Sequence, residues 1–422
     1  MQLTPTRLGH LVHALAEVLA FTYPADAVLS RYFRFNRDLG MADRAFIADN
    51  TYAILRRLRW LQLLAAPQLT PRRLALAALA KLQGLNLREL RPLLLEDEGE
   101  VEWLETVKAA SLDDQPLAVR LDLPDWLLER LQTFLGDEEI VTLARGLQQA
   151  APLDLRVNTL LASREGVSQA LAAEGMEAEA TPYSPMGLRL KSKPALNKHP
   201  LFLTGKIEVQ DEGSQLLGLL VAPRRGEMVA DFCAGAGGKT LLLGALMQSL
   251  GRLYAFDVSE KRLSQLKPRL KRSGLSNIQP QLIANENDIK IKRLAGKLDR
   301  VLVDAPCSGL GTLRRNPDLK WRQQPSDIEE LTAKQANILN AAARLVKKGG
   351  RLVYATCSIL PEENERIVEA FLATHPEFTQ LDCADLLKRQ QVALGTGKNL
   401  RLYPQVHGTD GFFAAVLEKS GT

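Results

Sequence analysis

The sequence predicts an α/β protein built on a doubly wound, mostly parallel sheet, preceded by an all-helical domain and a small α+β domain. Three observations carry this. From Met228 onward, short apolar runs of strand character alternate regularly with helical segments, the pattern of a parallel sheet covered by helices. From Thr6 to about Leu135, apolar residues recur instead at three- and four-residue spacing, which predicts helices throughout. Two of the strand-like runs end in Cys-Ser, VLVDAPCSG at Cys307 and RLVYATCS at Cys357. Both thiols therefore fall where strands end and loops begin, the place where open α/β sheets carry their chemistry.

A chain of 422 residues exceeds one ordinary core, and we divide it at 1–140, 141–206 and 207–422. In the first part the helical blocks are separated by breakers at Tyr23-Pro24, Ala66-Pro67 and Thr70-Pro71. Its arginines Arg31, Arg34, Arg37, Arg56, Arg57 and Arg59 fit a phosphate-binding face and an ordinary solvated helix surface equally well. From about Pro152 to Phe202 short strands and helices mix, then give way to a stretch rich in Pro, Lys, Ser and Gly. That composition predicts a small connecting domain with a loop near its end.

The third part reads in order as strand MVADF, helix TLLLGALMQSL, strand RLYAFD, helix EKRLSQLKPRLKRS, strand IQPQLIA, a short helix and strand RVLVD. A helix from Ser326 to about Lys347, strand GRLVYAT and helix PEENERIVEAFLATH follow. The late run FFAAVLEK is expected at the edge of the sheet, because no crossover helix comes after it.

Composition narrows the function classes. Hydrophobic content of 46% and charged content of 24% describe a folded globular protein and exclude a disordered one. No apolar stretch is long enough to span a bilayer, and the start lacks the pattern of a secretory signal, so a cytoplasmic location is expected. Four widely spaced cysteines, Cys233, Cys307, Cys357 and Cys383, match neither a disulfide framework nor a zinc site, so free thiols and no metal are expected. A net charge of +5 permits a polyanionic partner without requiring one.

The run CAGAGGKT, from Cys233 to Thr240, joins a strand to a helix through a glycine turn that lets a ligand approach the backbone. A phosphate-binding P-loop needs glycine where Cys233 stands, and the dinucleotide fingerprint needs glycine where Thr240 stands. With both excluded, an adenosyl ligand without phosphates fits. Asp231 ends the preceding strand, and Asp257, about 20 residues after the turn, is placed to accept ribose hydroxyls. The competing reading makes Asp257 a cap for the helix near Glu260.

Taken together, the glycine loop, DAPCSG and ATCS resemble those of the bacterial Fmu/Sun group of RNA cytosine-5 methyltransferases, which act on 16S ribosomal RNA. MADRAFIADNTYAILRRLRWL is similar to the NusB-like RNA-binding domain of that group, and LRVNT (155–159) to the opening of its connecting domain. VQDEGSQL, RRNPDLKW, YATCSILPEEN and HGTDGFF match as well. The resemblance implies a class I, Rossmann-like methyltransferase fold and S-adenosylmethionine as cofactor. It assigns the methionine-side loop to Cys233, Ala234, Gly235, Ala236, Gly237, Gly238 and Lys239, the ribose to Asp257, and an adenine contact to Asn285, where the group commonly has Asp. The group's loop usually reads CAAPGGKT, so Gly235 and Ala236 depart from it, and loss of the proline makes the free loop more flexible.

By the same resemblance Cys357 is the nucleophile, Asp304 engages the cytosine ring nitrogen and contacts the cofactor, and Cys307 helps release the product. Lys239 with Arg314, Arg315, Lys320 and Trp321 would hold phosphates and stack on a base, although Trp321 fits core packing slightly better. The substrate implied is a single-stranded or flipped-out cytosine, the partner RNA, and the protein a monomer. Alternatives are a catalytically silent RNA-binding assembly factor, or a methyltransferase of transfer-RNA or DNA cytosine; on DNA, Cys307 would be the nucleophile.

Overall fold

Helices begin where the sequence supplies a cap. Thr4 and Thr70 each precede a proline at the first helical position, and their hydroxyls accept the backbone N–H of Arg7 at 3.3 Å and of Arg73 at 3.2 Å, satisfying donors the helix itself leaves open. The computed structural model describes residues 3–94 and 98–421. The chain divides into two compact units, one reaching to Gln149 and including Leu313–Pro325, the other comprising Ala150–Thr312 and the chain from Ser326 onward. Among the described residues no helix is long and apolar enough to cross a membrane.

In the first unit, helices Pro5–Val18, Ala25–Phe35, Met41–Arg56, Leu58–Ala65 and Pro71–Lys81 pool one core that includes Leu11, Leu15, Ile47, Ile54, Leu61 and Leu76. The segment 313–325 belongs to this unit. Trp321 packs against its core and donates its indole N–H to the Leu55 carbonyl at 2.8 Å. Lys320 is buried and donates to the Arg56 carbonyl at 3.2 Å, and Asp318 accepts from the backbone N–H of Ala25 at 3.2 Å. This corrects the expectation that Lys320 holds phosphates, and it bears out core packing as the better reading of Trp321. Lys320 and Trp321 serve the helical interior, and Arg314 is buried, its carbonyl accepting from Arg56 at 2.9 Å.

Part of the expected basic face is likewise engaged within this unit, Arg31 with Glu17 at 3.0 Å. Arg57 pairs with the buried Asp122 at 3.0 Å, Arg59 with Asp125 at 2.7 Å, and Arg56 with the Arg314 carbonyl.

The second unit holds two sheets. Strands β1 (Leu153–Val157), β2 (Ala178–Ala180), β3 (Gly187–Leu190) and β4 (Ile207–Val209) form an antiparallel sheet in the order β2-β3-β1-β4. Helix Arg164–Ala173 packs Val167 and Leu171 against Leu155, Leu188 and Ile207. Beyond it come β5 (Met228–Asp231), β6 (Arg252–Asp257), β7 (Ile278–Leu282), β8 (Leu298–Asp304), β9 (Val346–Thr356), β10 (Phe378–Leu381), β11 (Leu400–Leu402) and β12 (Phe412–Lys419).

These eight strands run in the order β10-β12-β9-β8-β5-β6-β7, with β11 also on β12; the five from β9 to β7 are parallel. Helices cover both faces, giving separate cores around Leu216, Leu242 and Leu266 on one side and Ile338, Leu339 and Phe371 on the other. The run FFAAVLEK does not form an edge. It pairs antiparallel with β9 and also with β10 and β11, an insertion that needs no crossover. Its first six residues are buried, as in a strand covered on both faces.

Candidate active site

Three neighbouring parallel strands, β5, β6 and β8, end in Asp231, Asp257 and Asp304. Chain connectivity changes direction at β5, so their carboxyl ends open on the crevice of a topological switch point. The glycine loop leaves β5 there. Gly235 and Gly237 have φ of +56° and +84°, left-handed values that L side chains rarely adopt. A Cβ on Gly237 would also lie 2.2 Å from Leu266 Cδ1, whereas one on Gly235 would meet open space. Gly237 thus serves the turn and its packing, while Cys233, Ala234, Gly235, Ala236, Gly238 and Lys239 line the cavity.

The carboxylates are already engaged. Asp257 accepts the backbone N–H of Gly235 at 2.8 Å and of Ser259 at 2.7 Å, so it shapes the loop as well as facing the cavity. The helix cap is Ser259, whose hydroxyl accepts from Arg262. Lys239 donates to Asp304 Oδ2 at 2.6 Å. The strand end therefore engages one of the lysine's three N–H donors.

Burial works against the Lys239 charge, yet Asp304, with Cys357 and Asp231 behind it, outweighs burial and raises its pKa. Burial pushes Asp231 up to about 7, opposed by the Thr240 hydroxyl bond and reinforced by Asp304 and Asp257. Burial and the same acidic surroundings raise Cys233, which stays a thiol.

Cys307 and Cys357 meet with their sulfurs 3.4 Å apart, both lining the cavity. The hydrogen bond it shares with Cys357, then burial, holds Cys307 well above the usual thiol value. A single buried carboxylate fixes the loops behind the pair. Glu363 accepts the Ser308 N–H at 2.8 Å, the Ser308 hydroxyl at 2.5 Å, the Ser358 hydroxyl and the Gln335 amide at 3.0 Å. The residue after each cysteine is thereby tied to one anchor. Close backbone crossing completes the frame: Gly311 donates to the Cys357 carbonyl at 2.9 Å and accepts from Gly411 N–H at 2.8 Å, leaving no room for a Cβ at Gly311.

Asn285 lies elsewhere. It is exposed, outside the cavity lining, and its side-chain oxygen accepts the Asn287 N–H at 2.9 Å, while the adjacent Glu286 lines the cavity. Sequence reasoning also passed over two arginines beneath the glycine loop. Arg156 donates to the Gly238 carbonyl at 2.6 Å and to Gln210, and Arg269 donates to the Ala236 carbonyl at 2.6 Å while pairing with Glu208 at 2.9 Å. The LRVNT run contains Arg156, but nothing local shows that it reaches a loop 82 residues away. Glu363 lay in the PEEN run as one more acid near a helix start. Among the described residues, no three His, Cys, Asp or Glu side chains cluster as a metal site.

The cavity, about 480 Å³, joins the glycine loop, all three strand-end aspartates and both thiols. On a doubly wound sheet of this order, that arrangement defines a class I methyltransferase. Residues 218–418 match the family described as 16S rRNA methyltransferase RsmB/F, and residues 123–197 match its ferredoxin-like domain. A Synechocystis sp. protein named as a probable ribosomal RNA small subunit methyltransferase B is 38% identical over 315 residues, 73% of this chain and 70% of its own. The crystal structure of PH0851 superposes with a TM-score of 0.83 at 28% identity, covering 99% of this chain and all of that one. A methyltransferase homolog from Pyrococcus horikoshii gives 0.62 at 31% identity, over 72% of this chain and 97% of its own. The chain belongs to the RsmB/F family of RNA methyltransferases.

Proposed function

We propose that this protein transfers a methyl group from S-adenosylmethionine to carbon 5 of a cytosine in 16S ribosomal RNA, with Cys357 as the nucleophile. The observation that carries the reading is the thiol pair, 3.4 Å apart, on the wall of a cavity that the glycine loop also lines. Bound in the cavity, S-adenosylmethionine supplies an electrophilic methyl group on its sulfonium. The residues present suit it: Asp231 Oδ1 is buried without a partner, an acceptor for an ammonium group. Asp257 offers acceptors to hydroxyls, and Phe232, Val258 and Ile283 offer an apolar wall to a purine.

Carbon 5 is a weak nucleophile while the ring is aromatic. Addition of the Cys357 thiolate forms a bond from sulfur to carbon 6 and moves the double-bond electrons toward carbon 5. Asp304 engages the ring nitrogen at position 3, where charge develops. Lys239, bonded to Asp304 Oδ2, orients that carboxyl and sets a positive charge beside it. After methylation, a base takes the carbon 5 proton, its bonding pair restores the double bond, and the sulfur-carbon bond breaks to return the thiolate. Cys307 assists that release. A cytosine stacked in a helix cannot meet thiol and methyl together, so the substrate is single-stranded or flipped out. On this reading the protein works as a cytoplasmic monomer without a metal.

The test is to incubate the protein, Cys357→Ala and Cys307→Ala with labelled S-adenosylmethionine and undermethylated small-subunit ribosomal RNA. We expect transfer by the parent, none by Cys357→Ala, and a protein-RNA adduct accumulating with Cys307→Ala. Unimpaired transfer by Cys357→Ala would overturn the nucleophile, and no transfer by the parent would favour a silent assembly factor.

A further inference from the structure

The end of the catalytic sheet remote from the thiols holds a second cavity, of about 330 Å³. Arg351, which lines it, stands five residues before the end of β9 at Thr356, so it lies about 16 Å along the strand from that end. Four guanidinium groups line this cavity, from Arg224, Arg300, Arg351 and Arg389, with Gln390 and an apolar wall that includes Leu246 and Leu386; among the described residues no acidic side chain lines it.

Arg300 and Arg351 are direct partners across β8 and β9, an arrangement of like charges that is unfavourable by itself. Arg300 is committed elsewhere, forked onto Glu227 at 3.1 and 3.2 Å and bonded to the Val221 carbonyl at 3.3 Å. Arg351 is not: one terminal nitrogen donates to the Leu220 carbonyl at 3.1 Å, and its Nε is buried without a partner. Glu418 is its neighbour across β9 and β12. Burial first, then the Arg300 charge, brings Arg351 down to about 10. Arg224 and Arg389 are exposed at the rim. Against Glu227 and Glu418, the four arginines leave a local excess of two positive charges.

We propose that Arg224, Arg351 and Arg389 form a binding site for a phosphate group, either a phosphodiester of bound RNA or a free phosphate, at the end of the sheet opposite the thiols. A planar guanidinium presents paired N–H groups at the spacing of two phosphate oxygens. The half-buried setting strengthens each contact beyond its worth in water, and the anion offsets the repulsion between Arg300 and Arg351. The site shares no residue with the machinery of methyl transfer and stands independently of that reading.

The test uses the full chain and two measurements: calorimetric titration with inorganic phosphate in a low-salt chloride buffer, and the salt dependence of binding to a small-subunit ribosomal RNA fragment. Replacing the two exposed arginines, as Arg224→Ala with Arg389→Ala, is expected to weaken phosphate binding by about tenfold or more. Arg351→Gln reproduces the loss, and Arg401→Ala, which removes an exposed arginine elsewhere, leaves it unchanged. If RNA occupies the site, the salt slope of RNA binding in the double variant also falls by about 0.9 for each phosphate no longer neutralised. Weaker phosphate binding with an unchanged slope assigns the site to a free phosphate. If neither phosphate affinity nor the salt slope differs between the parent and the double variant, the proposal is overturned.

Discussion

Glu363 is the buried side chain that ties the loops behind both thiols, and its replacement separates stability from positioning. Its two oxygens accept four hydrogen bonds, from the Ser308 N–H and hydroxyl, the Ser358 hydroxyl and the Gln335 amide, in a fully buried setting. In Glu363→Ala the two hydroxyls can still bond each other, since Ser308 Oγ already reaches Ser358 Oγ at 3.2 Å. The Ser308 N–H and the Gln335 amide lose their shared acceptor, Glu363 Oε1. At about 1–3 kcal/mol for each buried donor left unmade, the loss is about 2–6 kcal/mol. Glu363→Gln keeps the shape, and the serine hydroxyls can turn to accept its amide, so only charge assistance is lost, about 1–2 kcal/mol.

Urea unfolding measures both values. Cross-linking of the folded protein by dibromobimane, which bridges neighbouring thiols, reports the separation of Cys307 and Cys357 without reference to activity. Methyl transfer reports the chemistry, where a misplacement near 1 Å costs about 100-fold. We expect Glu363→Ala to lose stability, cross-linking and transfer together, and Glu363→Gln to retain most of the cross-linking. Glu363→Ala unfolding within about 1 kcal/mol of the parent, with unchanged cross-linking, would refute the anchoring role.

Two further predictions concern pH. Asp231 moves from 3.8 to about 7 on folding, so the folded state holds its proton more tightly. Stability of the ligand-free protein therefore falls as pH rises from about 4 to about 7 and then levels, by on the order of 4 kcal/mol at about 1.36 kcal/mol for each pH unit. Asp231→Asn removes that slope in chemical unfolding measured across the range, and a parent whose stability is flat there contradicts the burial argument. Lys320 moves the other way, from 10.5 down to about 7, because burial disfavours its charge more than Asp122 supports it. The folded state then binds fewer protons, and stability rises as pH increases from about 7 to 10. Lys320→Met, which keeps the buried stem and deletes the charge, is expected to abolish this rise; an unchanged rise would assign it to another group.

Much of the architecture and part of the site were legible in the chain. The alternation after Met228 announced the sheet, the aspartates of MVAD, RLYAFD and RVLVD fell at strand ends, and the two Cys-Ser junctions placed both thiols beyond a strand. These features are local: side-chain periodicity, turn chemistry and caps are settled by residues a few positions apart. In the segment RRNPDLKW the lysine misled, because local composition cannot tell a nucleic-acid surface from a lysine drawn into a helical core through the Arg56 carbonyl, whereas the tryptophan packs there as its aromatic character favoured.

The tertiary structure alone decided which partners meet. Lys239 finds Asp304 across 65 residues, Glu363 gathers Ser308 across 55, and Asn285 turns outward while Glu286 turns in. It also inserted FFAAVLEK between strands instead of leaving it at an edge, and set Arg300 beside Arg351. Such choices depend on which surfaces pack and which buried groups find a partner in three dimensions. The pattern along the chain states which segments are strands and helices, and only their packing states which charge faces which.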